Sequence, residues 1–340
     1  VATLCRIPQL VIGLTVVAFG TSAPELFVGV SSILQNADDL AVGNVVGSNI
    51  FNILVVLGCS ALVFPLRVES RLVRRDVPVL LAISSAAWGM ASAGRMTWQA
   101  GVALLIGLII NTVWEIRTSL EDHQETVETS NLQRTGSGFS RSLTIALFQL
   151  AVGITLLVVG SKTLVSGASS AAAFLKVPPA VIGLTIVATG TSTPELITSV
   201  VATLKGKTDL AVGNVVGSCL LNLLMVIGGC AAISGGTGLQ VSAELISEDL
   251  PVMMIATLVC LPFFWTRRSI SRVEGGILLT AYVLYLTDNV LPRTALASWQ
   301  DEFRLATLCV AMPILVIVVV TQVLIHLRST QASRLSLIHI

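Results

Sequence analysis

GTSAPEL at residues 20–26 and GTSTPEL at residues 190–196 are two copies of one short text, and DLAVGNVVGS at 39–48 returns letter for letter at 209–218. A single offset of 170 residues relates both pairs, so one duplication accounts for them. Each copy sets a carboxylate, hydroxyls and a proline inside otherwise apolar sequence. Such groups are expensive there, and inside a membrane helix they are usually functional.

Working outward, apolar residues make up 54% of the 340 and charged residues only 11%, with a mean hydropathy of +0.88. A soluble domain carries about 25% charge. Repeated apolar stretches of about 20 residues predict a polytopic helical membrane protein. The predicted spans are 9–36, 41–63, 77–93, 98–116, 143–166, 179–205, 210–234, 250–266, 272–290 and 305–327. A net charge of +1 says nothing about partners. No basic patch interleaved with aromatics suggests nucleic acid as one, and no protein partner is implied. The six cysteines form no CxxC pair and read as small buried residues. His123, His326 and His339 are scattered outside the span centres, which argues against an imidazole-built metal centre. No signal peptide is visible.

Gly20 with Pro24, and Gly190 with Pro194, predict two half-helices in each copy in place of one rod. Residues 117–142 are polar (Glu121, Asp122, Glu125, Glu128) and read as a flexible connection between halves. An apolar span, 143–166, precedes the second copy. Its counterpart would precede Val1, so the expectation is a chain lacking its first helix. Restoring that helix gives five spans per half, an odd count that inserts the second half upside down. The positive-inside rule tests this. With 117–142 cytoplasmic, fifteen of the twenty Lys and Arg fall in cytoplasmic segments. The expected fold is an all-α polytopic membrane protein of two inverted five-helix repeats, with broken helices at the site and one extra C-terminal helix. Its parts are a first repeat at 1–116, the linker 117–142, a second repeat at 143–290, the extra helix 305–327 and a tail at 328–340.

Proline has no N–H, so the carbonyl four residues earlier, at Gly20 or Gly190, loses its helical partner. In lipid that is costly; facing a polar cavity it can bind a cation. Thr21, Ser22 and Glu25 stack along one face, as do Thr191, Ser192 and Glu195. The next helix adds Ser48 with Asn52, and Ser218 with Asn222, each pair spaced i, i+4. Gly43 with Gly47, and Gly213 with Gly217, are small residues at a spacing that lets helices approach closely. Inverted copies bring Glu25 and Glu195 together, making a pool of hard oxygen ligands of the kind Ca²⁺ takes, about six to eight at a time. The absence of thiolate and imidazole argues against zinc or copper. Two formal negative charges suit one Ca²⁺, or two or more Na⁺, and ions that compete for one alternately exposed site are exchanged. A lone intramembrane Glu is sometimes a packing residue; two in duplicated contexts are not. Asn44 and Asn214 read as helix-cap or interhelix hydrogen-bonding residues at least as readily as ligands. Asp39 and Asp209 read as N-caps, and Asp76 and Asp249, before Pro78 and Pro251, as helix starts. Lys162 is expected to snorkel to an interface, the arginines at 67–75 to fix topology, and Trp88, Trp98, Trp114 and Trp299 to sit in interfacial belts.

Gly20–Leu26 with Gly43–Asn52, repeated as Gly190–Leu196 with Gly213–Asn222, resembles the paired alpha-repeats of the calcium/cation antiporter superfamily, and most closely its bacterial sodium/calcium exchangers. The resemblance covers about residues 1–290 and implies ten helices in inverted halves. It implies ion ligands at Thr21, Ser22, Glu25, Ser48 and Asn52, and at Thr191, Ser192, Glu195, Ser218 and Asn222, joined by the backbone carbonyls of Ala18 and Ala188. It implies Ca²⁺ moving one way and Na⁺ the other as substrates, with no cofactor, no enzymatic reaction, and a place in a bacterial inner membrane. Two departures stand out. Many sodium/calcium exchangers have Asp where this chain has Asn222, while proton-coupled relatives often have Asn in both copies, so H⁺/Ca²⁺ antiport is the alternative. The second copy also loses the Asn and Phe present at Asn49 and Phe51, a change expected to act on helix packing. A channel and an intramembrane hydrolase are the readings from other classes. The self-contained pseudo-symmetric site disfavours the first, and the lack of a nucleophile paired with histidine, or of an HExxH motif, disfavours the second.

Overall fold

A computed structural model describes residues 17–127, 187–293, 296–311, 313–318 and 320–321, with short helical stretches between 145 and 163. The expectations for 1–16, for most of span 143–166, for Lys162, and for the tail 328–340 lie outside the described residues, as does much of the 117–142 connector.

The duplicated text folds the same way twice. In the first copy a short helix α1 (Ala18–Thr21) is interrupted at Ser22, and α2 (Ala23–Leu34) follows. In the second, α7 (Ala188–Thr191) breaks at Ser192 and α8 (Thr193–Leu204) follows. Pro24 and Pro194 stand in the opening turn of α2 and α8, where a missing N–H is tolerated. The predicted half-helices are therefore present. Next come α3 (Asp38–Phe51) and α9 (Thr208–Leu221), each running through a π-helical turn, Asn52–Val56 or Asn222–Ile227, into α4 (Leu57–Val63) or α10 (Gly228–Ile233). A π turn widens the helix by one residue and shifts the face its side chains share.

The rest of the first half is β1 (Leu66–Arg67), α5 (Val77–Ala91), β2 (Arg95–Met96) and α6 (Trp98–Val127). Helix α6 continues past 116, well into the stretch predicted as a flexible connector. The second half has β3 (Leu239–Gln240), α11 (Leu250–Arg267), β4 (Ser269–Ile270) and α12 (Arg272–Val290); α13 (Gln300–Ala306) comes after it. A capping box starts α12: Glu274 N–H donates to Ser271 Oγ at 3.3 Å while Ser271 N–H donates to Glu274 Oε2 at 2.6 Å.

Four helices among the described residues are long and apolar enough to cross a membrane: Asp38–Val63, Trp98–Thr118, Thr208–Ile233 and Leu245–Trp265. Burial separates them. The two duplicated ones are 89% and 94% buried and form the centre; the other two, at 17% and 39%, lie at the periphery.

Short strands tie the halves at both ends. β1 pairs antiparallel with β4, Leu66 opposite Ile270, and β2 with β3, Met96 opposite Leu239. The predicted N-cap role of Asp39 and Asp209 is not what the structure shows. Ala37 and Lys207 occupy the caps without side-chain bonds, and both aspartates lie in the first helical turn. Asp38 Oδ2 accepts the N–H of Gln240 at 2.9 Å, and Asp39 Oδ1 that of Ser242 at 2.8 Å. The backbone donors beside β3 hold these carboxylates away from their own helix. Asp76 and Asp249 precede α5 and α11 as expected, each closing a π turn, Leu72–Asp76 or Leu245–Asp249. Near β1, the Arg71 and Arg75 guanidiniums both bond the buried Glu115 carboxylate (Arg75 at 2.8 Å), and Arg75 also lies 4.2 Å over the Trp114 ring. This clamp pins α6 to the start of α5. Trp88 is held in the interior by its indole N–H on the Ile246 carbonyl, 3.1 Å away.

Close helix crossings also fall at glycines outside the predicted pairs. At Gly43 a Cβ would meet only Leu245, at an ordinary 3.8 Å. At Gly101 on α6 it would come within 2.4 Å of the Ala232 nitrogen and 2.7 Å of the Gly228 carbonyl; at Gly275 on α12 it would come within 2.8 Å of the Gly58 carbonyl. Gly58 and Gly228 are repeat mates at the same 170-residue offset. Each half thus presses its glycine on the other half's last helix, backbone against backbone. Gly101→Ala or Gly275→Ala forces those helices apart, and overpacking of this kind costs about 1–3 kcal/mol. Thermal unfolding in detergent should show both variants melting earlier, while Gly229→Ala, with nothing within 4 Å, melts as wild type.

Candidate functional site

The helix breaks bring the two copies face to face. Helix α9 packs on α1, and α3 packs on α7. Every predicted side chain of the set is buried: Thr21, Ser22, Glu25, Ser48 and Asn52 from one copy, and Thr191, Ser192, Glu195, Ser218 and Asn222 from the other. Glu25, Ser48, Asn52, Glu195, Ser218 and Asn222 are all 0% exposed.

The contacts between copies are reciprocal. Ser22 Oγ donates to Glu195 Oε1 at 3.4 Å, and Ser192 Oγ donates to Glu25 Oε1 at 3.0 Å. Thr21 Oγ1 donates to Asn214 Oδ1 at 3.4 Å, and Thr191 Oγ1 to Asn44 Oδ1 at 3.2 Å. Thr21 Oγ1 also lies 3.4 Å from Ser218 Oγ. Each serine beside a helix break therefore serves the other copy's carboxylate, and Glu25 and Glu195 are close enough to repel one another. Among the described residues no lysine, arginine or histidine faces either glutamate.

Five of the thirteen buried polar atoms without a partner among the described residues are oxygens of this same set. Glu25 Oε2, Ser48 Oγ, Asn52 Oδ1, Glu195 Oε2 and Asn222 Oδ1 are buried with no hydrogen-bond partner among the described residues. Buried polar groups are almost always satisfied, so these leftover oxygens, beside the equally unpartnered Asn52 Nδ2, are atoms able to accept a cation. The carbonyls of Ala18 and Ala188 are held by their own half-helices. Ala18 O accepts Ser22 N–H at 2.9 Å and Thr21 Oγ1 at 3.3 Å; Ala188 O accepts Ser192 N–H and Thr191 Oγ1, both at 3.1 Å. Among the described residues no cluster of His, Cys, Asp and Glu has the make-up of a resident metal centre, so the chemistry here is that of neutral oxygens around two carboxylates.

Asn44 and Asn214 act as interhelix hydrogen-bonding residues. Asn214 Nδ2 donates to Ser199 Oγ at 3.0 Å and its Oδ1 accepts from Thr21. Sequence reasoning missed Asn49. Its Oδ1 accepts from Asn222 Nδ2 at 3.1 Å, and its Nδ2 donates to the Cys219 carbonyl at 3.3 Å. The departure at 49 versus 219, expected to act on packing, thus reaches a site residue. It holds the Asn222 amide by its nitrogen and leaves Oδ1 for the site. The broken repetition was the available signal. Phe51 does act on packing, edge-on to the Tyr282 ring at 5.6 Å.

Known proteins resemble this chain in sequence and fold. Residues 1–117 and 145–290 match the family model described as sodium/calcium exchanger protein. The chain is 34% identical to the inner membrane protein YrbG of Escherichia coli over 83% of its length and 88% of that protein. It is 30% identical to the sodium/calcium exchanger MaX1 of Methanosarcina acetivorans over 84% of its length and 90% of that protein. Its structure resembles that of the sodium-calcium exchanger NCX_Mj soaked with Na⁺ and Sr²⁺, with a TM-score of 0.70 and 28% identity over 84% of this chain and 89% of that one. With two thirds and more of its residues in the family match, and the paired GTSxPE breaks meeting at its centre, the chain belongs to the sodium/calcium exchanger protein family.

Proposed function

We propose that this membrane protein exchanges Ca²⁺ for Na⁺ by alternating access at the oxygen site between α1–α2, α3, α7–α8 and α9. The observation that carries this reading is the pair of fully buried carboxylates with, among the described residues, no cationic side chain beside them and an unpartnered oxygen on each. Charge in such a place has to be met by a cation from solution or by protons. Thr21, Ser22, Glu25, Ser48 and Asn52 would line one side of the ion, and Thr191, Ser192, Glu195, Ser218 and Asn222 the other. At Ala18 and Ala188 a cation would displace the threonine hydroxyl from the carbonyl, freeing the hydroxyl oxygen as a ligand in turn. One Ca²⁺ or a set of Na⁺ neutralises the same two carboxylates, so the ions exclude each other and transport is coupled.

The reciprocal Ser–Glu and Thr–Asn bonds, and the paired glycine crossings, support two inverted halves that rock about this centre. The end joined by β1 and β4 carries Arg67, Arg71, Arg75 and Arg272, and its charge supports a cytoplasmic position, with the 117–142 linker on the same side. The 305–327 span has no counterpart in either half and stands as an extra transmembrane helix. Proton coupling is the second reading, favoured by asparagine at both 52 and 222: neither amide adds charge, so a pair of protons on Glu25 and Glu195 would equally well offset Ca²⁺.

Purified protein in liposomes should take up ⁴⁵Ca when a Na⁺ gradient is imposed, with a protonophore leaving the rate unchanged. Uptake that follows only a pH gradient assigns proton coupling instead. Glu25→Gln and Glu195→Gln should each lower ⁴⁵Ca binding by at least about tenfold, because affinity at such sites follows ligand charge. Retained binding in either variant removes that carboxylate from the site.

Asn49→Cys copies the second repeat into the first and releases Asn222. Loss of a group that orients a ligand costs about 10–100-fold in metal affinity. Equilibrium ⁴⁵Ca binding should fall by about tenfold or more while the thermal midpoint stays near wild type; unchanged affinity would make the Asn49–Asn222 contact idle.

A further inference from the structure

We propose that the groove between the residues just before α5, helix α11 and the helical residues 313–318 and 320–321 is a binding site for an anionic phospholipid. The cavity measures about 820 Å³, within the roughly 300–1,000 Å³ of pockets that hold a ligand. Its lining divides by chemistry. Ser70, Arg74 and Arg268 supply the polar end; the remainder is apolar, drawn from α11 between Ile255 and Trp265 and from Leu315, Val316 and Val320. No aspartate or glutamate lines it.

The charge of this end is uncommitted. Several other arginines of the fold are spoken for: Arg71 and Arg75 clamp Glu115, Arg304 grips Asp288 and Glu248, and Arg272 donates to the Val63 carbonyl. Arg74 and Arg268 have no carboxylate partner among the described residues, and both side chains are exposed. They come from segments far apart in sequence that β1 and β4 bring to the same end of the molecule. Arg268 reaches its place because the chain turns there in the left-handed conformation, φ +49°, at the end of α11.

Two guanidiniums and a hydroxyl converging beside an apolar trough match one kind of ligand: a phosphate on an acyl chain. Guanidinium meets phosphate through paired, charge-assisted hydrogen bonds, and basic pockets between transmembrane helices hold acidic headgroups. A soluble phosphate would have no use for the trough, and a zwitterionic lipid would bring its own cation to the arginines. The third wall belongs to the span outside the two repeats, so the groove exists only where that helix packs beside α11.

The test uses the full chain, delipidated in detergent and followed by native mass spectrometry. Phosphatidylglycerol should bind at least tenfold more tightly than phosphatidylcholine of the same acyl length, and glycerol phosphate should not bind. The double variant Arg74→Gln, Arg268→Gln should bind phosphatidylglycerol at least tenfold more weakly with phosphatidylcholine unchanged. Both arginines are exposed and make no side-chain bond that the fold needs, and a lipid-free melting curve checks that the variant is folded. Phosphatidylglycerol brominated on its acyl chain should quench Trp265 saturably, a component absent from Trp265→Phe. Equal binding of the two lipids by wild type, binding of glycerol phosphate as tight as that of the lipid, or undiminished phosphatidylglycerol binding by the folded double variant would each overturn the assignment. The lipid preference of the wild type needs no variant and decides the matter alone if the variant melts early.

Discussion

Two buried carboxylates without a cationic neighbour among the described residues are the constraint around which the rest of this structure is arranged. An acidic side chain at the centre of a membrane helix costs about 2.5–3.5 kcal/mol even by the mildest scale, and two of them repel. The fold answers locally with hydroxyls delivered across the interface, Ser22 to Glu195 and Ser192 to Glu25. Each serine at a helix break serves the other copy's glutamate. The site therefore exists only as long as the halves are joined, and the elements that join them carry its energetic burden: the two strand pairs at the ends and the glycine crossings of Gly58 on Gly275 and Gly101 on Gly228. Sealed packing also keeps water from the carboxylates, which is what makes an unpartnered oxygen there a strong attractor for a cation.

The duplication is imperfect where it matters. Asn49 has Cys219 as its mate and Phe51 has Leu221. Asn49 bridges to Asn222, while Phe51 leans on Tyr282, whose hydroxyl lies 3.3 Å from Thr189 Oγ1. From there Tyr285 donates to Asp249 Oδ1 at 2.7 Å. One side of the core thus has an aromatic and hydrogen-bonded brace reaching α12 and α11. Residues that were once equivalent now hold their two site amides differently, so Asn52 and Asn222 are chemically alike but mechanically distinct.

Most of the core was legible in the sequence because membrane burial leaves few meanings for a polar residue. Gly-Thr-Ser-x-Pro-Glu says where a helix breaks and which face is polar, and repetition says that two such faces meet. The remainder was hidden because it depends on which neighbour arrives. Asp39 looks like an N-cap until the β3 backbone offers it better donors. Gly43 looks like a crossing point by spacing, yet a Cβ there would meet only Leu245 at 3.8 Å, while Gly58 and Gly228, which no spacing singled out, lie backbone to backbone against Gly275 and Gly101. The 117–142 stretch looks like a loose connector by polarity, but α6 continues to Val127 because helix propensity in Glu- and Leu-containing sequence survives the loss of apolar periodicity.

Exchange then follows from geometry more than from any special chemistry. A channel needs its ion to be bound weakly at a site open to both sides. Here every proposed ligand comes from a broken helix or from the helix after it, and each half supplies one wall. In the proposed mechanism, motion that opens one end would slide α1 along α9, or α7 along α3, and because these contacts are duplicated the two openings would oppose each other. With Glu25 and Glu195 shared between both states, an empty site would leave two charges exposed to the cost described above at the moment of crossing. That penalty, larger than the loss from any single missing ligand, is what would discourage the unloaded protein from changing sides and hold the flux of one cation to the return of another.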